Sequence, residues 1–156
     1  MLRVDVRQLQ SGGAETRGTL GPDDPALEGL DLVVERPVEV TGRLQATEGE
    51  DYLWRGRIQA TVVGECRRCL GRVEQEIDEQ VDVLFSPDPD LADDPSVYAL
   101  PPHPAVVDVT GAVREELALR ASAFPLCREE CQGLCPACGA DLNAGPCGCA
   151  ATGSTR

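Results

Sequence analysis

The sequence predicts an α+β protein with an antiparallel sheet of about four to six strands, either open or barrel-like. One main helix and a cysteine-rich, zinc-binding C-terminal segment complete the predicted fold. Three observations favour this fold class. Long runs alternate apolar and polar residues with the period of a half-buried strand. A single later segment has helical spacing, and the eight cysteines fall into close pairs.

The predicted strands begin at the N-terminus, where Leu2, Val4 and Val6 alternate with polar residues. A loop is expected over 11–28, because this stretch is rich in Gly, Pro and Asp. Three sustained strands then follow, over 38–47, 52–64 and 72–85. Short connections between successive strands indicate antiparallel pairing.

The stretch 86–104 contains six prolines and is predicted to be an exposed connection without a regular element. It leads into one amphipathic helix over 109–121, which Asp108 or Thr110 can cap. We therefore expect four parts: an N-terminal strand and loop, a sheet-plus-helix core, a cysteine-rich zinc-binding segment packed on that core, and a flexible tail. Their bounds are 1–29, 30–126, 127–149 and 150–156.

The composition excludes two functional classes. The 156 residues carry 27 acidic side chains against 14 basic ones, all of them arginine, for a formal net charge of −13. A lysine-based catalyst is therefore excluded. So is a protein held on nucleic acid by its overall charge, because such a charge repels phosphate backbones and attracts basic proteins.

The distribution of apolar residues predicts a cytoplasmic protein. No run of about 18 apolar residues is present, so no membrane span is expected, and the N-terminus lacks the apolar region of a signal peptide. In a reducing compartment, cysteines at paired spacings indicate metal binding rather than disulfides.

The eight cysteines are all candidate metal ligands. They form the pairs Cys66 and Cys69, Cys127 and Cys131, Cys135 and Cys138, and Cys147 and Cys149. Tetrahedral zinc takes four thiolates, and each short spacing lets one tight turn present two sulfur atoms to the same ion. The pattern predicts one or two structural zinc ions. A complete set of four thiolates leaves no open coordination position, so metal catalysis is not implied.

Loop closure favours one division of the cysteines. Cys147 lies only nine residues beyond Cys138, so the last two pairs can share an ion at low entropic cost. The first two pairs would then form the other site. The alternative that stays open is one contiguous site built from the second and third pairs.

The segment around the first CxxC permits two alternative functions. Neighbouring arginines would lower the pKa of a thiol, as in a thiol–disulfide redox protein using Cys66 and Cys69, although no helix follows this CxxC. Arg67, Arg68 and Arg72 offer a contact for RNA phosphate in a zinc-ribbon module, or else neutralise the thiolates.

The remaining candidates are weaker. His103 lies between two prolines and is expected to be a solvent-exposed loop residue. The stretch from Glu74 to Asp94 holds nine carboxylates and no basic residue, which indicates a solvated face or a surface for a basic partner. No phosphate-binding, dinucleotide or nucleophile motif is present. We therefore predict no catalytic residue and no small-molecule substrate.

Several strings in the chain resemble the YceD family. They are Cys66-Arg67-Arg68-Cys69-Leu70, Val107-Asp108-Val109-Thr110, Pro125-Leu126-Cys127, the stretch 131–143 and Cys147-Gly148-Cys149. Members of this family are named for the accumulation of large-subunit ribosomal RNA, and their genes often neighbour that of a ribosomal large-subunit protein. Some members carry fewer C-terminal cysteines. The resemblance implies a bacterial, cytosolic, non-enzymatic factor in ribosome biogenesis.

The charge and the resemblance together suggest a partner. Ribosomal proteins and their assembly intermediates are strongly basic, so an acidic chain without lysine is expected to bind a basic ribosomal protein or a pre-large-subunit particle. Direct contact with ribosomal RNA through the three arginines is the second route.

Overall fold

The computed structural model describes residues 1–30 and 32–151. Within them lie eight β-strands and one α-helix, α1, at Thr110–Arg120. The strands are β1 (Arg3–Asp5), β2 (Ala14–Leu20), β3 (Val33–Val34), β4 (Val38–Ala46), β5 (Tyr52–Glu65), β6 (Arg72–Ser86), β7 (Val97–Ala99) and β8 (Val106–Asp108). The predicted α+β class is confirmed. In the described part of the chain, no helix has the length and apolar character needed to cross a membrane.

The main sheet is open and mixed. Its strand order is β2-β4-β5-β6-β7, with β3 paired to β5, while β1 and β8 form a separate two-stranded sheet. The β2–β4 and β4–β5 pairs are antiparallel, whereas β6 and β7 run parallel. The barrel-like form is therefore wrong, because within the described residues the sheet ends at β2 and β7 without closing.

The register of β4 and β5 builds the centre of the apolar core. Leu44 lies opposite Trp54, and Val40 lies opposite Ile58. All four side chains are buried, and alternate residues of both strands face solvent, as the period-two pattern predicts. The buried Trp54 Nε1 donates a hydrogen bond of 2.8 Å to Thr16 Oγ1 on β2.

Helix α1 begins one residue later than predicted and ends one residue earlier. The preceding residue, Val109, has no side-chain acceptor for the first turn. Asp108 Oδ1 instead accepts the N–H of Thr110 at 3.0 Å. The buried face of the helix carries Val113 and Leu117, which is the i,i+4 pair expected from the sequence.

Two stretches predicted to lack regular structure each contain a strand. β2 lies within 11–28, where Thr16 breaks the apolar pattern although it is buried as the acceptor of the Trp54 indole. β7 lies within the proline-rich stretch 86–104, and pairing to the end of β6 fixes its three residues. Hydrogen bonds to distant residues therefore stabilise both strands, and the local composition does not reveal either strand.

The chain divides into two compact units. The first unit comprises Met1–Val62 and Glu76–Ala121, and the second comprises Val63–Gln75 and the residues from Ser122 onwards. The four-part division given above stays a prediction. Of its expected flexible tail, 150–156, residues 152–156 lie outside the described residues.

Candidate metal centres

The eight cysteines converge into two groups of four in the second unit. Site 1 consists of Cys66, Cys69, Cys127 and Cys131, and site 2 consists of Cys135, Cys138, Cys147 and Cys149. The sulfur atoms of each group lie within 4.8 Å of one another. This is the division that loop closure favours, and the contiguous alternative is not the one observed.

The sulfur–sulfur distances fit a tetrahedral ion. Cys66 Sγ lies 3.8 Å from Cys131 Sγ, and Cys69 Sγ lies 3.7 Å from Cys127 Sγ. Four sulfurs at the usual zinc–thiolate distance of about 2.3 Å are about 3.8 Å apart along each edge of the tetrahedron. A disulfide would need about 2.05 Å, and all eight cysteines are free thiols.

The two CxxC turns share one backbone geometry. The N–H of Leu70 donates to the carbonyl of Cys66 at 2.8 Å, and the N–H of Gly139 donates to that of Cys135 at the same distance. A second bond of 2.8 Å closes each turn, from Cys66 N–H to Gly71 and from Cys135 N–H to Ala140. Each turn therefore holds its pair of sulfurs for one ion.

Backbone amides point at the first sulfur of each turn. The N–H of Cys127, followed by those of Cys69 and Arg68, lowers the pKa of the Cys66 thiol to about 6, against the opposing effect of burial. The N–H groups of Cys138 and Ala137 likewise lower the pKa of the Cys135 thiol to about 6. These donors favour the thiolate, which is the form that binds metal.

Crowding of the sulfur atoms has the opposite effect on other thiols. Cys131 raises the pKa of the Cys127 thiol to about 12, and Cys138 raises that of Cys149 to about 11. Four such groups hold full thiolate charge together only when a cation neutralises them. The donor set, spacing and charge therefore all fit a soft divalent ion such as Zn²⁺.

Asn143 links the loop of site 2 to a ligand of site 1. Its Nδ2 donates to Cys131 Sγ at 3.4 Å, and this contact lowers the pKa of the Cys131 thiol. Its Oδ1 accepts from the Gln132 N–H and from Arg128 Nη2, both at 2.9 Å. The sequence pattern did not indicate this role, although Asn143 lies in the stretch 131–143 that resembles the family.

The three arginines near the first CxxC differ in their surroundings. Arg68 Nη1 donates to the carbonyls of Cys131 and Glu129 at 3.0 and 3.2 Å, so its side chain ties the turn to the ligand segment. Arg72 Nη2 lies 3.1 Å from Glu74 Oε1. Arg67 is exposed, and within the described residues its guanidinium has no partner.

Apart from Glu74, which belongs to the second unit, the remaining sequence candidates lie in the first unit. His103 is exposed, and its Nδ1 lies 2.9 Å from Glu50 Oε1. Along β6, Glu76, Asp78 and Asp82 are exposed, and the turns that follow it carry exposed aspartates.

The second unit lacks an apolar core among its described residues. All 24 buried residues of the hydrophobic cluster belong to the first unit. In the second unit the buried side chains are those of Cys66, Cys131 and Cys135, whereas Leu70 and Phe124 are exposed. A unit of this kind needs a cross-link other than apolar packing, and a metal bound by cysteine supplies one.

These features define a class of protein: an acidic α+β protein whose cysteine-rich unit is organised around two sets of four thiols. Residues 54–156 match the sequence profile of the family described as "Large ribosomal RNA subunit accumulation protein YceD". The chain belongs to this family, as the cysteine strings suggested. No solved structure matches the chain.

The curated relatives are mycobacterial. Uncharacterized proteins of Mycobacterium bovis and Mycobacterium tuberculosis are 32% identical over 127 residues, which is 80% of this chain and 56% of each relative. An uncharacterized protein of Mycobacterium leprae is 28% identical over 119 residues, covering 73% of this chain and 54% of the relative. The chain thus spans about half the length of the curated relatives it matches.

Proposed function

We propose that this chain is a non-catalytic cytoplasmic factor in the assembly of the large ribosomal subunit, with two structural zinc ions in its second unit. It acts by binding a basic ribosomal protein or a pre-large-subunit particle. Membership of a family named for large ribosomal RNA subunit accumulation is the observation that carries the assembly role.

The structural role of zinc is supported by burial. Cysteine sulfurs take the place of an apolar core in the described part of the second unit. An ion in site 1 ties the turn between β5 and β6 to the segment that holds Cys127 and Cys131. An ion in site 2 fixes the loop that carries Asn143. When bound, zinc supplies four strong bonds per site and no reactive position.

The choice of a basic partner is supported by where the charge lies. The segments 1–62 and 76–121 carry 22 acidic residues and nine arginines, and therefore the whole net charge of −13. The rest of the sequence holds five acidic residues and five arginines. The first unit thus attracts cationic proteins and repels RNA.

Direct contact with ribosomal RNA is the second candidate, and the exposed Arg67 favours it. The thiol–disulfide alternative has less support. Cys66, which would be its attacking thiol, is fully buried and has three further cysteine sulfurs beside it.

The assembly role is tested by removing the gene that encodes this chain from its bacterium. We expect the amount of large-subunit ribosomal RNA to fall relative to small-subunit RNA, and the wild-type gene to restore it. We also expect the chain to co-sediment with large-subunit precursors and to leave them as salt is raised, because screening weakens charge attraction. An unchanged RNA ratio together with no co-sedimentation contradicts the role.

The two routes of binding are separated by one variant. An Arg67→Glu variant should lose particle binding if RNA phosphate is the contact. Under the basic-protein route it should bind as the wild type does, because Arg67 lies outside the acidic first unit.

A further inference from the structure

Strand β6 has one edge that is largely unpaired. It is 15 residues long, and β5 is its neighbour on one side. On the other side only Leu84–Ser86 pair, with β7. Over the described residues, no strand pairs with 76–83 on that side, which leaves a free edge about 26 Å long at about 3.3 Å per residue.

The direction of the free backbone groups follows from the paired end. The Ser86 carbonyl accepts the N–H of Leu100 at 2.8 Å, so Ser86 directs its backbone groups to the β7 side. Buried Ile77, Val81 and Phe85 keep an unbroken period of two, which excludes a bulge between them. The even-numbered residues of β6 therefore direct N–H and C=O groups to the open edge, and these are Glu76, Asp78, Gln80 and Asp82.

The polar side-chain contacts of residues 76–83 do not pair the open edge, since the two arginines of β5 lie on the paired side of the strand. Arg57 pairs with Asp78, and Arg55 pairs with Asp82. From helix α1, Arg120 reaches Glu79 at 3.6 Å. Within the described residues, no helix or loop backbone donates to the residues 76–83 or accepts from them. In the described residues the backbone groups along this edge therefore lack a backbone hydrogen-bond partner, and such groups can pair with another strand.

The charge around this edge indicates which kind of strand would pair with it. Nine carboxylates and no basic residue lie between Glu74 and Asp94. Glu76 has no ion pair in the described part of the chain. The groove of about 590 Å³ that it lines lies towards β5 and β4, and it contains Glu39, Gln59 and one arginine, Arg36. Asp88, Asp90, Asp93 and Asp94 follow the strand, likewise without an arginine partner there. A second copy of this chain would bring like charges together, whereas a cationic strand would be attracted.

We propose that the open edge of β6 binds an extended arginine- or lysine-rich segment of a partner protein as an added strand. Backbone hydrogen bonds to the even-numbered residues supply the binding, and the acidic first unit supplies the charge preference. This inference rests on the proposed function, because it specifies how the basic partner is recognised.

The test uses the purified full chain and an eight-residue peptide of alternating L-arginine and L-valine. Hydrogen exchange is measured residue by residue along β6. We expect the peptide to slow exchange at least ten-fold at Asp78, Gln80 and Asp82, with little change at Glu79 and Val81, whose amides face β5. A control peptide with D-valine keeps the charge but cannot form a regular strand, and it should have no such effect. Equal binding of both peptides, or slowing without alternation, overturns the proposal.

A matched pair of variants tests the same edge. Gln80→Pro removes an outward N–H, whereas Gln80→Ala removes the same side chain and keeps that N–H. We expect at least a ten-fold loss of peptide affinity for the proline variant only. Equal affinity of the two variants for the peptide would contradict binding at the edge of β6. If Gln80→Pro does not fold, as judged by circular dichroism, the alternation in wild-type exchange still decides.

The two proposals fail separately. If gene removal leaves large-subunit RNA unchanged while the alternating exchange pattern appears, the assembly role is wrong and the edge stands. If the amount of large-subunit RNA falls but exchange along β6 shows no alternation, strand addition at β6 is wrong and the assembly role stands.

Discussion

Leu70 adopts a backbone conformation that disfavours its own side chain. Its φ is +59°, in the left-handed region, where a non-glycine residue costs roughly 1–2 kcal/mol. The equivalent position in the site 2 turn is Gly139, at φ +75°. Leu70 is also 60% exposed, so little burial offsets this strain.

We predict that Leu70→Asn stabilises the turn of site 1. Asparagine tolerates the left-handed region, so the free energy of opening should rise by about 0.5–1 kcal/mol. Hydrogen exchange at the Cys66 amide, which is bonded to Gly71, measures this opening.

A matched control is Leu119→Asn, because Leu119 is also exposed but lies in helix α1. There the same change should lower the stability of the helix by about 0.5 kcal/mol, since asparagine is a poor helix former. Equal effects at both positions would show that backbone conformation is not the cause.

The Trp54 ring is positioned by a hydrogen bond, and two glycines leave the space that it occupies. A Cβ on Gly56 would lie 2.3 Å from the indole, and one on Gly42 would lie 2.6 Å from Nε1. The ring therefore occupies space that these strands leave open, with Thr16 as the acceptor of its N–H.

We predict that Thr16→Val destabilises the first unit by about 1–3 kcal/mol, because it leaves a buried indole N–H without an acceptor. Thr16→Ser keeps the hydroxyl and should cost much less. Urea unfolding followed by the fluorescence of this single tryptophan gives both values. A valine variant as stable as the serine variant would mean that the bond contributes nothing.

Each CxxC turn contributes to only one of the two sites. Cys69 is grouped with Cys127 and Cys131, whereas Cys138 is grouped with Cys147 and Cys149. Loss of one sulfur should therefore release one ion and leave the other in place.

We predict that Cys69→Ser frees Cys127 and Cys131 for alkylation while Cys147 and Cys149 stay protected. Cys138→Ser should give the reverse pattern. Alkylation of the native protein, followed by peptide mass spectrometry, reads out both variants. Exposure of Cys135 in the Cys69 variant would instead support a different division of the ligands.

Elements with strong local periodicity could be predicted from the sequence, and those fixed by distant partners could not. β4, β5 and β6 alternate for nine residues or more, so their bounds were predicted to within one residue. β2 depends on Thr16 meeting Trp54, and β7 depends on three residues of β6. Neither interaction is visible within a local window.

The net negative charge and the hydrophobic core of the molecule lie in the first unit, and all eight cysteines lie in the second. The spacing of the cysteines predicted both groups, because short loops close cheaply. The role of Asn143 was not predictable, because its contact with Cys131 joins residues twelve apart and depends on the shape of the loop between them.

We predict that metal removal unfolds the second unit and spares the first. A strong chelator at neutral pH should speed exchange at amides such as those of Cys66 and Cys135, because the described residues of the second unit form no apolar core to hold them. Exchange at Ile58 and other core positions of the first unit should stay slow. Unchanged exchange in both units would show that metal does not support the fold.

We propose that two metal ions take the place of a hydrophobic interior in the second unit. Native mass spectrometry of the freshly purified full chain, with a count of reactive thiols after denaturation, tests this proposal. The expected result is two zinc ions per chain, lost with chelator, and eight reduced cysteines. A metal-free chain with its cysteines oxidised in pairs would contradict the proposal.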